Sequence, residues 1–259
     1  MRKLILVLCL ALLAVAVAAP AAAAGGHLEG YVAAVSHVQG KFGSFWTSDL
    51  WIYHQGASVI HLWFNPSGQD NTNAQSVVVN LDGPVTYIPD VVATLFGEQG
   101  SGSLHYLADG PVVVLSRNWT PAEDAGTYGQ TIRGVPMSSA SFAGTGQAGT
   151  TRMLANKKDG FRANLGLVNV SPAPVEVLVE IFNEDGNPAL GNSSFTVNLE
   201  PFEWKQMNDV LKRLGAGERD GLIVRAGVSS SDGAIIAYLA EVDNTTNAPS
   251  YQQGFRFAF

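Results

Sequence analysis

The feature that most constrains this chain is that it runs through one series of segments twice, in the same order. Residues 45–54 read FWTSDLWIYH and residues 161–170 read FRANLGLVNV. VVVNL (77–81) returns as TVNL (196–199), and IPDVVATL (88–95) as NDVLKRLG (208–215). DGPVVVLSRNW (109–119) returns as DGAIIAYLAEV (232–242), and TYGQTIR (127–133) as SYQQGFR (250–256). Any one match is weak, but an ordered series across a whole half predicts two tandem domains of roughly 115 residues each, within the ordinary domain range. The boundaries fall at 25–136 and 152–259. Between them MSSASFAGTGQAGTT (137–151), rich in Gly, Ser, Thr and Ala, reads as a linker.

Within each half the apolar residues alternate with period two. Val175, Val177, Val179 and Ile181 lie on one side of a segment whose other side carries Glu176 and Glu180. Asp185-Gly186 supplies the positive φ angles of a tight hairpin turn. The period changes once per half, at 88–95 and 208–215, where a short helix is expected, the second with Asn208 as N-cap and Gly215 as its stop. Seven or so short strands per half, with turn signals between them, predict an all-β chain of two antiparallel β-sandwiches of the immunoglobulin-like kind.

The first 24 residues, MRKLILVLCLALLAVAVAAPAAAA, have a short basic start, an apolar run from Leu4 to Ala19 and small residues at the end. They read as a signal peptide cleaved after Ala24; the apolar run is shorter than the roughly 20 residues that span a bilayer. Cys9 lies inside that run, behind Leu8, where a lipoprotein signal would need a small residue. Because it is the only cysteine, the mature chain has no disulfide, and each domain must be held by its own apolar core. Losing Arg2 and Lys3 from 15 basic residues against 22 acidic leaves a net charge of −9, which argues against nucleic acid and anionic membrane surfaces. The expected location is secreted, periplasmic or at the cell surface.

The phrases SFWTSDLWIYH, GTYGQTIRGVP, FRANLGLVNVSPAPVEV and AYLAEVDNTTNAP resemble those of secreted bacterial proteins built of tandem immunoglobulin-like or fibronectin-like β-sandwich repeats. The resemblance spans nearly all of the mature chain. It implies fold and location, and it brings no catalytic residue, cofactor or ligand.

A search for chemistry finds little. No Gly-x-Ser-x-Gly elbow, P-loop, His-Glu-x-x-His or dinucleotide fingerprint is present; GSGSLH (100–105) has turn composition. The histidines His27, His37, His54, His61 and His105 lie in the first half without metal-ligand spacing. Glu123/Asp124 and Glu184/Asp185 fall in turns, and Asp70-Asn71-Thr72-Asn73 lacks the spacing of a calcium loop. Neither a catalytic group, a metal nor a cofactor is expected, and the chain reads as a non-enzyme.

Comparing the two copies is more informative. Asp49-Leu50 aligns with Asn164-Leu165, which sets Trp51 against Gly166 and Tyr53 against Val168. His61 aligns with Glu176 and Trp63 with Leu178. With Leu50 and Ile52 in the core, Trp51, Tyr53, His61 and Trp63 are expected to point outward, where rings can stack on sugars, anchor a protein or pack against the second domain. They form the candidate partner face, for an unknown protein or glycan at the cell surface, provided the two strands share a sheet; in different sheets they make no single patch. The end, QQGFRFAF (252–259), also has the polar-x-Gly-x-x-aromatic-x-aromatic form of an outer-membrane barrel strand, although the strands here are short for a barrel. The leading expectation is an exported protein of binding, adhesion or envelope structure. A carbohydrate-binding accessory module and an outer-membrane barrel are the alternatives.

Overall fold

A computed structural model describes residues 26–122, 126–144, 150–155, 160–189, 194–216 and 219–256. The expected signal peptide and the final Phe259 lie outside them. The first half contributes β1 (His27–Gln39), β2 (Phe45–His54), β3 (Val59–Pro66), β4 (Ser76–Asn80), β5 (Val85–Ile88), β6 (Gly100–Pro121), β7 (Thr127–Arg133) and β8 (Val135–Pro136). The second contributes β9 (Ser141–Phe142), β10 (Thr151–Ala155), β11 (Phe161–Asn169), β12 (Val175–Phe182), β13 (Ser194–Leu199), β14 (Trp204–Met207), α1 (Val210–Arg213), β15 (Leu222–Val228), β16 (Ala234–Asp243) and β17 (Pro249–Gln253). All named strand pairs are antiparallel.

Each half is a two-layer sandwich with the same strand order. In the first, one layer runs β4-β3-β6-β1 and the other β5-β2-β6-β7. The second repeats them as β13-β12-β15-β10 and β14-β11-β16-β17. One difference is physical rather than topological. The second chain half breaks between β15 and β16 at Asp232-Gly233, whereas β6 runs unbroken for 22 residues through Asp109-Gly110. Its first half pairs with β1 and β3 and its second half with β2 and β7, so one strand belongs to both layers. At the changeover Asp109 accepts hydrogen bonds from the backbone of Ser58 and Val59 and from the Ser58 hydroxyl. Those bonds, the hydroxyl's first, hold its carboxyl below the ordinary carboxylate range.

Local detail repeats as well. Asp90 and Asp209 both adopt left-handed backbone, with φ of 42° and 51°, a region that short polar side chains tolerate. The N–H of Asp90 donates to Asp49 Oδ1, and that of Asp209 to Asn164 Oδ1, both at 3.0 Å. A helical turn follows each: a π-helical turn at Val92–Phe96 and α1 in the second half. The cap of α1 is Asp209, which accepts from the Lys212 N–H, and not Asn208 as expected from the sequence. The left-handed Asp209 moves the start of the helix on by one residue.

Leu50, Ile52, Ile60, Leu62, Leu104 and Tyr106 fill the first core, and Leu165, Leu167, Val177, Val179, Ile235 and Leu239 the second. Full burial of such side chains is worth roughly 1.5–3 kcal/mol each. The cores are not separate bodies on a tether. Val168, Trp204, Ile236, Tyr238 and Ala240, on the outer side of the β14-β11-β16 layer, pack into the first core cluster. Hydrogen bonds cross the same junction: Asn71 N–H to the Pro201 carbonyl at 2.9 Å, Asn71 Nδ2 to the Phe202 carbonyl, and Gly68 N–H to Glu203 Oε1. The stretch expected to be a linker takes part in the packing. Ala140 and Ser141 are buried, and β9 pairs with β16. Small residues allow such close docking as readily as they allow a solvated tether.

Candidate functional site

The outward residues of β5, β2 and β6 form a flat apolar face on the first sandwich. Cross-strand pairing sets Val85, Tyr53 and Val113 in one row, and Tyr87, Trp51 and Leu115 in the next. Leu50 and Ile52, on the other side of β2, are fully buried. Tyr53 is 44% exposed, Tyr87 51% and Val85 47%, while Trp51 is half-buried beside Tyr87, their ring centroids 4.9 Å apart. Charge sits at the margin. Asp49, opposite Arg117, accepts from Trp119 Nε1 at 3.0 Å. Partial desolvation and the Asp49 carboxylate hold the Tyr87 hydroxyl above its ordinary value. An open aromatic centre with Arg117 at its margin has the composition of a protein-docking surface.

His61 and Trp63 are not part of this face, which corrects the expected four-residue patch. They lie on β3, in the opposite layer, and the residues that point inward from β2 and β3 meet in one core. Their side chains therefore leave the sandwich on the other side. There Tyr31, His105 and Trp63, cross-strand neighbours on β1, β6 and β3, stack with centroids 4.6 and 4.8 Å apart, and His61 stacks on Trp63 at 5.9 Å. Tyr31 is 1% exposed, whereas His105, Trp63 and His61 are half-buried, so the ladder runs from a buried ring outward to the surface. Burial pushes the His105 imidazole below its ordinary value, and its 2.9 Å contact with Glu29 offsets part of that.

The sign of the resulting pH effect follows. With the folded value below the unfolded one, near 6.5, the unfolded chain takes up the proton first. The contribution of His105 is therefore complete above about pH 6.5 and is lost as pH falls below it. Thermal melts from pH 7.5 to pH 5 are expected to show a smaller drop for His105→Phe, which keeps a stacked ring without a titrating nitrogen, than for the wild type. Equal drops would refute this role.

Compared with known proteins, the chain matches no family model and no curated protein. The site has to be read from its own geometry.

That geometry includes an internal control. Trp51 pairs with Leu115 as Gly166 pairs with Tyr238, and Tyr53 pairs with Val113 as Val168 pairs with Ile236. On the third strand Val85 and Tyr87 correspond to Trp204 and Gln206. The face that lies open on the first sandwich is, on the second, the face buried against the first. Gly166 is kept small by a neighbour. A Cβ there would lie 2.0 Å from the ring of Tyr238, which covers it. Tyr87, Val85 and Leu115 are functional candidates that sequence reading missed, because only the pairing register places them beside Trp51.

Asp70–Asn73, the oxygen-rich loop, is a local turn. Asp70 Oδ1 accepts from the Thr72 hydroxyl and N–H, which lower its carboxyl below the ordinary value, and Asn71 is the junction contact described above. Of the C-terminal stretch, Pro249–Gln253 forms β17, an edge strand beside β16, and Phe257 and Phe259 lie outside the described residues.

Proposed function

We propose that the chain is an exported, non-enzymatic binding protein of adhesion or envelope structure, made of two copies of one sandwich unit. Its working surface is the Trp51–Tyr53–Tyr87 face. One observation carries this reading: the equivalent face of the second sandwich is already a sandwich-to-sandwich interface. A face whose copy buries itself on protein, and which is itself aromatic and open, has the chemistry of a protein-docking surface. The signal-like N-terminus and the resemblance to secreted tandem-sandwich proteins support export. The partner expected is a surface protein of the producing cell.

The test is binding of purified labelled protein to washed producing cells. Wild type is expected to bind, and Trp51→Ala/Tyr53→Ala/Tyr87→Ala is expected to bind poorly. Prior protease treatment of the cells should abolish binding and periodate oxidation should leave it. Loss on periodate alone would transfer the face to a glycan partner and overturn the protein reading.

A further inference from the structure

The junction between the sandwiches joins two unlike surfaces, and each has an exposed counterpart on the other sandwich. The second sandwich contributes the outer face of β14-β11-β16. The first contributes the side that carries β1. This strand packs against β11 and β16, and its Ala33, Ala34 and Val35 are buried in one cluster with Val168, Trp204 and Tyr238. A face of one unit is thus seated on the β1 side of the other. The counterpart of the face is the Trp51–Tyr53–Tyr87 surface of the first sandwich. The counterpart of the β1 side is the β10 side of the second, where β10 is the edge of its layer.

The pairing register fixes this second equivalence. Tyr31 pairs with His105 and with Val135, as Arg152 pairs with Arg225 and bridges to Phe255. Ala33 therefore corresponds to Leu154, and Val135 to Phe255. Ala33 and Val135 are buried, whereas Leu154 is 51% exposed and Phe255 42%. Both counterparts are apolar and open, as surfaces for protein contact are, and the junction inside the chain shows which kind of surface meets which. A contact between two unlike surfaces is heterologous, and it propagates from copy to copy.

We propose that the chain assembles head to tail, the Trp51–Tyr53–Tyr87 face of one copy seated on the Leu154 side of β10 in the next. This rests on the reading of that face as a protein-docking surface and names its occupant, a second copy of the chain. The product is an open string of sandwiches in which the contact inside each copy is repeated between copies.

The experiment is sedimentation velocity of the purified mature protein over a rising concentration series. The average mass should climb past that of two copies. Leu154→Asp and, separately, Trp51→Ala/Tyr53→Ala/Tyr87→Ala should each weaken association about tenfold or more, because each removes one half of the contact. Each variant keeps the half that the other lacks, so a mixture of the two should give a one-to-one pair and nothing larger. That pair also shows that both variants are folded. A monomer at every concentration, a closed dimer, or association that survives Leu154→Asp would each overturn the proposal. Binding to washed cells keeps the two readings apart. A monomeric protein whose cell binding still depends on the three aromatic residues would overturn the second copy as occupant and leave the docking face standing.

Discussion

Gly166→Trp, which writes the first sandwich's residue into the second, is expected to destabilise the protein by about 3 kcal/mol or more, at the upper end of overpacking costs. The reason is the fixed ring above it. Tyr238 is fully buried, stacks on Tyr251 with centroids 5.2 Å apart and donates its hydroxyl to Gln206 Oε1 at 3.0 Å. It cannot swing aside, as the end of a flexible side chain would. Burial accordingly holds its hydroxyl far above the ordinary tyrosine value. The first sandwich solves the same packing the other way round, with the large ring on β2 (Trp51) and the smaller side chain on β6 (Leu115). The double change Gly166→Trp/Tyr238→Leu should therefore recover part of the loss, a non-additive result that chemical denaturation of the single and double variants measures. Full additivity would show that the two positions do not share one site.

Asn118→Ala is expected to cost about 2–4 kcal/mol, because it breaks a buried network at several points at once. Asn118 Oδ1 accepts from the hydroxyls of Ser48, at 2.7 Å, and Ser116, and its Nδ2 donates to the Ala34 carbonyl at 3.2 Å. Ser48 Oγ in turn accepts the Ser36 N–H at 2.7 Å. This network ties Ser36 and Ala34 of β1 to β2 and the second half of β6, just beyond the His37–Thr47 end of the β1–β2 ladder. A urea midpoint that falls with an unchanged denaturant slope would fit; an unchanged midpoint would not.

Much of the fold is legible in the sequence, because alternation and repetition are local signals. The alignment of Trp51 with Gly166 agrees with the pairing register of both sandwiches, and the short helical segments lie where the period changes. Other features depend on pairings distant in sequence. Nothing in VIHLWFNP shows that β3 leaves the layer of β2, because the separation is made by β6 passing from one layer to the other. Likewise Gly166 looks like the least a strand requires until Tyr238, more than 70 positions later, is found covering it. The Gly- and Ser-rich stretch at 137–151 reads as solvated by composition, yet Ala140 and Ser141 are buried.

The central claim is that the open face of the first sandwich docks a protein as its buried counterpart does. The most direct measurement is the affinity for producing cells of the wild type and of the Trp51→Ala/Tyr53→Ala/Tyr87→Ala variant, compared alongside their melting temperatures. Since aromatic anchors at docking surfaces are commonly worth about 2 kcal/mol each, the account predicts binding weaker by about 100-fold or more. Half-exposed cross-strand pairs contribute only about 0.2–1 kcal/mol apiece, so the melting temperature should fall by no more than a few degrees. Undiminished affinity in a folded triple variant would contradict the claim.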